Sequence, residues 1–127
     1  MGDLGFELGE EELQAFVGRC DVFMVITGEK FTPKFAALDQ MIDFLCPKWI
    51  VPMHYCIPPL GAPGEPGGGM TAIDAFLNHR SADPVYVCRS TKVGFPLPGG
   101  EAGRPTIVVI EPAGYEPTGG LVRFAVT

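Results

Sequence analysis

Two unbroken apolar runs with one amphipathic stretch between them constrain this chain more than any other feature. Val22-Phe23-Met24-Val25-Ile26 and Trp49-Ile50-Val51 are rich in β-branched and aromatic side chains, the pattern of strands covered on both faces. Between them, Thr32-Pro33 reads as the N-cap and first residue of a helix. Leu38, Met41, Ile42 and Leu45 form one apolar stripe, Lys34, Asp39, Gln40 and Asp43 face away, and Cys46-Pro47 stops the helix. A strand, a helix and a strand in such close succession imply a right-handed crossover with the two strands parallel.

Weaker elements flank this unit. Glu10-Glu11-Glu12 precedes Leu13, Phe16 and Val17, an i, i+3, i+4 set that predicts a short helix with acid at its positive end and Gly18 as its stop. Between Ile57 and Gly69 nine of thirteen residues are Gly or Pro, so neither helix nor strand is sustained there and a long loop follows His54. Thr71 with Asp74 reads as a capping box opening a helix with Ile73, Phe76 and Leu77 as its apolar face, ending near Arg80. Val85 to Cys88, Thr106 to Ile110 and Leu121 to Val126 then read as strands separated by Gly/Pro-rich turns.

With 127 residues the chain fits a single domain, residues 1–127, with enough apolar residues to build a core. A formal net charge of −6 argues against a nucleic-acid partner and against an anionic membrane surface. No apolar run approaches the roughly 20 residues of a membrane span, and the N-terminus lacks the basic-then-apolar layout of a secretory signal, so a cytoplasmic location is expected. Cys20, Cys46, Cys56 and Cys88 form no C-x-x-C pair and are expected to be reduced, buried thiols rather than a disulfide frame or a zinc knuckle.

In an α/β layer, ligands gather outside the carboxyl ends of the strands. Thr27-Gly28-Glu29 follows the first strand and His54 the second, so both loops are expected at one edge, joined by Asp3 if Met1-Gly2 is the stub of another strand. Each residue has a plain structural reading beside the functional one. His54 can be a partly buried histidine bonded to a carbonyl, Asp3 a solvated terminal residue, Cys56 an ordinary core or loop thiol rather than the partner of His54 on zinc, and His79 a cation at a helix C-terminus. Glu29, Asp21 and Tyr55 either line the pocket or serve as turn and packing residues.

The ordered set Gly2-Asp3-Leu4-Gly5, the acidic helix, Asp21-Val22-Phe23-Met24-Val25-Ile26-Thr27-Gly28, Phe31-Thr32 and Pro47-Lys48-Trp49-Ile50-Val51-Pro52-Met53-His54-Tyr55 resembles the second half of the metallo-β-lactamase-fold hydrolases, in particular their small bacterial branch of uncharacterised or lactonase-like members. The resemblance implies an α/β fold, half of an αββα sandwich, with a mixed sheet of about five strands and about three helices. It also implies that Asp3 matches the carboxylate bridging the metals and His54 the last histidine ligand, to Zn²⁺ or Mn²⁺. Such a cation lowers the pKa of bound water to about 7 for attack on an ester or similar bond.

The chain departs from that family in its histidines. The family's H-x-H-x-D-H motif belongs to the first half, and the only histidines in this sequence are His54 and His79. Thr27-Gly28-Glu29 also stands where this branch commonly has a Pro-x-Gly-Gly turn. A metal-hydrolase remnant, inactive alone, is therefore one expectation. The other is a non-enzymatic module that self-associates through the sheet face which the first half would cover. In either case the partner is a missing N-terminal half or a second copy.

Overall fold

The computed structural model describes residues 8–30, 32–56, 70–90, 92–101 and 103–111. Among these residues four strands form one sheet in the order β1-β2-β4-β3, with β1 spanning Val22–Ile26, β2 Trp49–Met53, β3 Val85–Cys88 and β4 Thr106–Ile110. All three strand pairs are parallel. The expected fifth strand, Leu121 to Val126, which would decide whether the sheet is mixed, lies outside the described residues, as does the loop Ile57 to Gly69.

Among the described residues three helices accompany the sheet: α1 (Glu10–Leu13, continued by a 3₁₀ turn Gln14–Phe16), α2 (Phe35–Leu45) and α3 (Ile73–His79). Leu38, Met41, Ile42 and Leu45 of α2 and Ile73, Phe76 and Leu77 of α3 pack with Val25, Ile50, Val85, Val87, Ile107 and Val109 of the sheet. The predicted stripe of α2 is thus its buried face, while Gln40 and Asp43 are exposed. On the opposite sheet face Trp49, Val51 and Val108 form a smaller cluster under Val93 and Leu97, with Phe95 edge-on to Trp49 at 5.3 Å. No helix among the described residues is long and apolar enough to cross a membrane.

Several boundaries differ from expectation for identifiable reasons. Helix α2 starts at Phe35 rather than at Pro33, and its first N–H is taken by the Glu29 carboxylate (3.4 Å) instead of the Thr32 hydroxyl. Helix α3 has Ala72, not Thr71, as its cap residue, because the Thr71 hydroxyl is committed to the Thr27 carbonyl. In the first helix only Leu13 is buried, and Phe16 and Val17 are exposed, because the chain tightens into a 3₁₀ turn and loses the α-helical stripe. Strand β1 is not covered on both faces: it is an edge strand, and Met24, on the face away from the helices, is 46% exposed. Cys46 is exposed, not buried, since it closes α2 in the left-handed conformation (φ 49°).

Strand β2 continues through Pro52 to Met53, although a proline inside a central strand removes a ladder donor. The Trp49 N–H reaches Asp21 and the Met53 carbonyl takes the Thr27 N–H, so odd-numbered residues of β2 bond to β1. The Lys48 carbonyl takes the Thr106 N–H, so even-numbered ones face β4. Pro52 therefore lacks its N–H on the β4 side, and there the register is confined to Trp49↔Thr106 and Ile50↔Ile107. The β1 side remains paired over the whole strand.

Candidate functional site

Because all four strands are parallel, their carboxyl ends share one edge of the sheet. Thr27-Gly28-Glu29 leaves β1 there, His54-Tyr55-Cys56 leaves β2, Arg89 follows β3 and Glu111 follows β4. The first two exits are joined to each other through Thr71. Its N–H donates to the Gly28 carbonyl (3.0 Å), its hydroxyl to the Thr27 carbonyl (2.9 Å), and its carbonyl accepts the Cys56 N–H (2.9 Å). Thr27 is fully buried and its N–H continues the ladder to the Met53 carbonyl at 3.0 Å.

His54 sits within this clamp. It is exposed and has φ +55°, in the left-handed region that only a few per cent of non-glycine residues adopt, histidine among the more tolerant. Gly28 makes the arrangement possible: a Cβ at that position would stand 2.4 Å from the His54 carbonyl oxygen. The left-handed turn ends the strand abruptly, and His54 stands exposed beside the end of β1. Tyr55 is half-buried against the helix-side core and Cys56 is buried, with an isolated bridge to Ala72.

The other sequence candidates separate. Asp3 lies outside the described residues. Cys56 is buried while His54 is exposed, so the left-handed turn between strand and bridge replaces the extended loop that would have shown both side chains to one side. Glu29 is occupied as the acceptor for the first N–H of α2, and its carbonyl takes the Lys34 ammonium at 2.8 Å. Asp21 precedes β1, at the opposite edge, where it pairs with Lys48 at 2.9 Å. His79 ends α3 as expected, but its ring is engaged: Nε2 lies 2.5 Å from Asp39, which also takes Arg80. Phe35 packs 5.2 Å from that ring.

Three residues of this edge are not identifiable as site residues from the sequence. Thr71 has the local pattern of a helix cap, but its clamp joins segments 44 residues apart, a separation no local pattern reports. Arg89 and Glu111 pair through Nε and Oε2 at 3.0 Å. The only local signal for them was that each is a charged residue directly after an apolar run.

A catalytic zinc ordinarily takes three protein ligands. Among the described residues no group of three or more His, Cys, Asp or Glu side chains could hold a metal ion. The described edge, with one imidazole, does not by itself fit such a centre.

No protein-family model matches this chain, and no curated protein matches it. Among solved structures it is similar to a protein from Thermotoga maritima described as a candidate zinc-dependent hydrolase of the metallo-β-lactamase superfamily, with a TM-score of 0.63 and 23% identity over 87% of this chain. The chain spans about half of that protein, 52% of its length. The likeness shows a metallo-β-lactamase-like α/β fold.

Proposed function

We propose that this chain carries one side of a metallo-β-lactamase-like hydrolytic metal site. In this reading it corresponds to the C-terminal half of the fold, of the small bacterial uncharacterised or lactonase-like branch. Asp3 and His54 are its ligands to Zn²⁺ or Mn²⁺, and the remaining ligands come from an H-x-H-x-D-H segment outside residues 1–127. The observation that carries the reading is the exposed, left-handed His54, held at the carboxyl end of β2 by the Thr71 clamp and the close approach of Gly28. The chain's span of about half the similar hydrolase supports the same division. Residues 1–127 then act as one domain that is inactive alone, and four cysteines outside any disulfide suit a reducing, cytoplasmic compartment.

Metal analysis of the purified chain tests this, together with ester and lactone hydrolysis before and after adding a separately produced segment bearing the H-x-H-x-D-H motif. The expected result is weak metal binding, no turnover alone and turnover on complementation. A stoichiometric, tightly held metal with turnover in the chain alone would overturn it.

A second reading, a non-enzymatic module that self-associates through the sheet face away from the helices, is favoured by the exposure of Met24, Phe95 and Ile110 at 46%, 41% and 38%. A clean monomer by light scattering at micromolar concentration would count against that reading.

A further inference from the structure

The carboxyl edge also holds a charged pair whose two members are unequally buried. Arg89 directly follows β3 and Glu111 directly follows β4; these strands pair up to Cys88↔Ile110, and the Glu111 N–H extends the ladder to the Cys88 carbonyl at 3.0 Å. The Glu111 side chain is 4% exposed and the Arg89 side chain 58%. Glu111 Oε2 accepts from Arg89 Nε, while Oε1 is buried with no hydrogen-bond partner among the described residues.

A surface Arg–Glu pair contributes little and calls for no explanation. A buried carboxylate with one oxygen unmet is different, because desolvating it is costly and native folds rarely leave such a group unexplained. It accepts from Arg89 through Nε. Among the described residues that hydrogen bond is made through Nε and not through the two terminal guanidinium nitrogens, and the Arg89 side chain is more than half exposed. Those nitrogens form the fork that binds a carboxylate or phosphate bidentately.

The surrounding sequence has the same character. Arg89, Ser90 and Lys92 place two of the chain's nine basic residues and a hydroxyl within four positions of an otherwise acidic protein. The Ser90 hydroxyl oxygen accepts the Lys92 N–H at 3.2 Å, which leaves its proton available to a ligand. This is cationic and hydroxylic chemistry just outside a strand's carboxyl end, where ligands of α/β sheets gather.

We infer that Arg89, positioned by the buried Glu111, binds an oxyanion, the carboxylate or phosphate group of a small ligand, at the carboxyl edge beside β3. The assignment does not depend on the hydrolytic reading, since it involves neither metal nor turnover.

The test is a titration of the full, ¹⁵N-labelled chain at low salt with inorganic phosphate and, separately, with acetate. Saturable shifts are expected at the Cys88, Arg89 and Glu111 amides. Saturation by phosphate alone assigns a phosphate group, and by acetate alone a carboxylate. Arg89→Ala should weaken binding about ten-fold, a loss of about 1.4 kcal/mol, and Arg89→Lys should fall between, because it keeps the charge and loses the fork. Glu111→Gln should also weaken binding with Arg89 unchanged. If that variant fails to fold, the exposed Arg89→Lys series decides alone. Absence of saturation with either anion, or unchanged affinity in Arg89→Ala, would overturn the inference while leaving the hydrolytic reading untouched.

Discussion

The backbone of Gly28 passes so close to the carbonyl of His54 that a single added methyl group would stand 2.4 Å from that oxygen. This contact couples the exit of β1 to the exit of β2 and sets where the imidazole stands. Gly28→Ala is therefore expected to destabilise the chain by about 1–3 kcal/mol through overpacking and to shift the His54 amide resonance. Gly18 provides the contrast, with φ +71° and nothing within 4 Å. Gly18→Ala should cost about 1 kcal/mol from backbone strain alone and leave His54 where it is. Urea denaturation with amide chemical shifts checks both.

Thr71 tests the clamp from the other side. Thr71→Val keeps the shape but removes the donor to the Thr27 carbonyl, so a loss of about 1–2 kcal/mol is expected, with faster hydrogen exchange at Cys56, whose N–H is held by Thr71. Thr71→Ser should recover most of it. Equal stability of the valine and serine variants would show that the hydroxyl contributes nothing.

His54 itself should matter little for folding. His54→Asn retains a side chain that tolerates the left-handed conformation and removes the imidazole. Stability is expected to change by no more than about 0.5 kcal/mol, while any Zn²⁺ binding detected by calorimetry in the parent chain is lost. Undiminished zinc binding in the variant would remove His54 from the site.

The four thiols should separate by alkylation. Cys46 is exposed and should react first. Cys20 should lag, because burial, and secondarily the Asp21 carboxylate, push its thiol pKa up, and because the thiol donates to the Val22 carbonyl at 3.5 Å. Cys56 and Cys88 are buried and should react only on unfolding. The raised value also carries a linkage: the protonated thiol of Cys20 favours the folded state. That contribution is complete below the unfolded thiol's pKa and is lost as pH rises through the folded one. Stability should therefore fall on the alkaline side, and less so in Cys20→Ala. Iodoacetamide mass mapping and denaturation above neutral pH read the two effects.

The strand-helix-strand unit was legible because its information is local. The apolar stripe of α2 and the β-branched runs of β1 and β2 state their own periodicity, and the stop at Cys46-Pro47 is written in the chain. The site was only half legible. His54 was identifiable as a residue past a strand end, but its left-handed backbone and its dependence on Gly28 were not.

What remained beyond the sequence follows from one physical difference. Periodicity records which side of an element is apolar, and with that the crossover, the helix face and the cluster around Ile50 and Phe76 were set by the order of residues. The capping of α2 by Glu29, the passage of β2 through Pro52 and the Thr71 clamp were not, since each hydrogen-bonding group had several acceptable partners. Packing chose among them by bringing distant carbonyls within reach. The same holds for Arg89 and Glu111, 22 residues apart: their opposite charges are visible in the chain, but the burial of one and the exposure of the other exist only once β3 and β4 lie side by side.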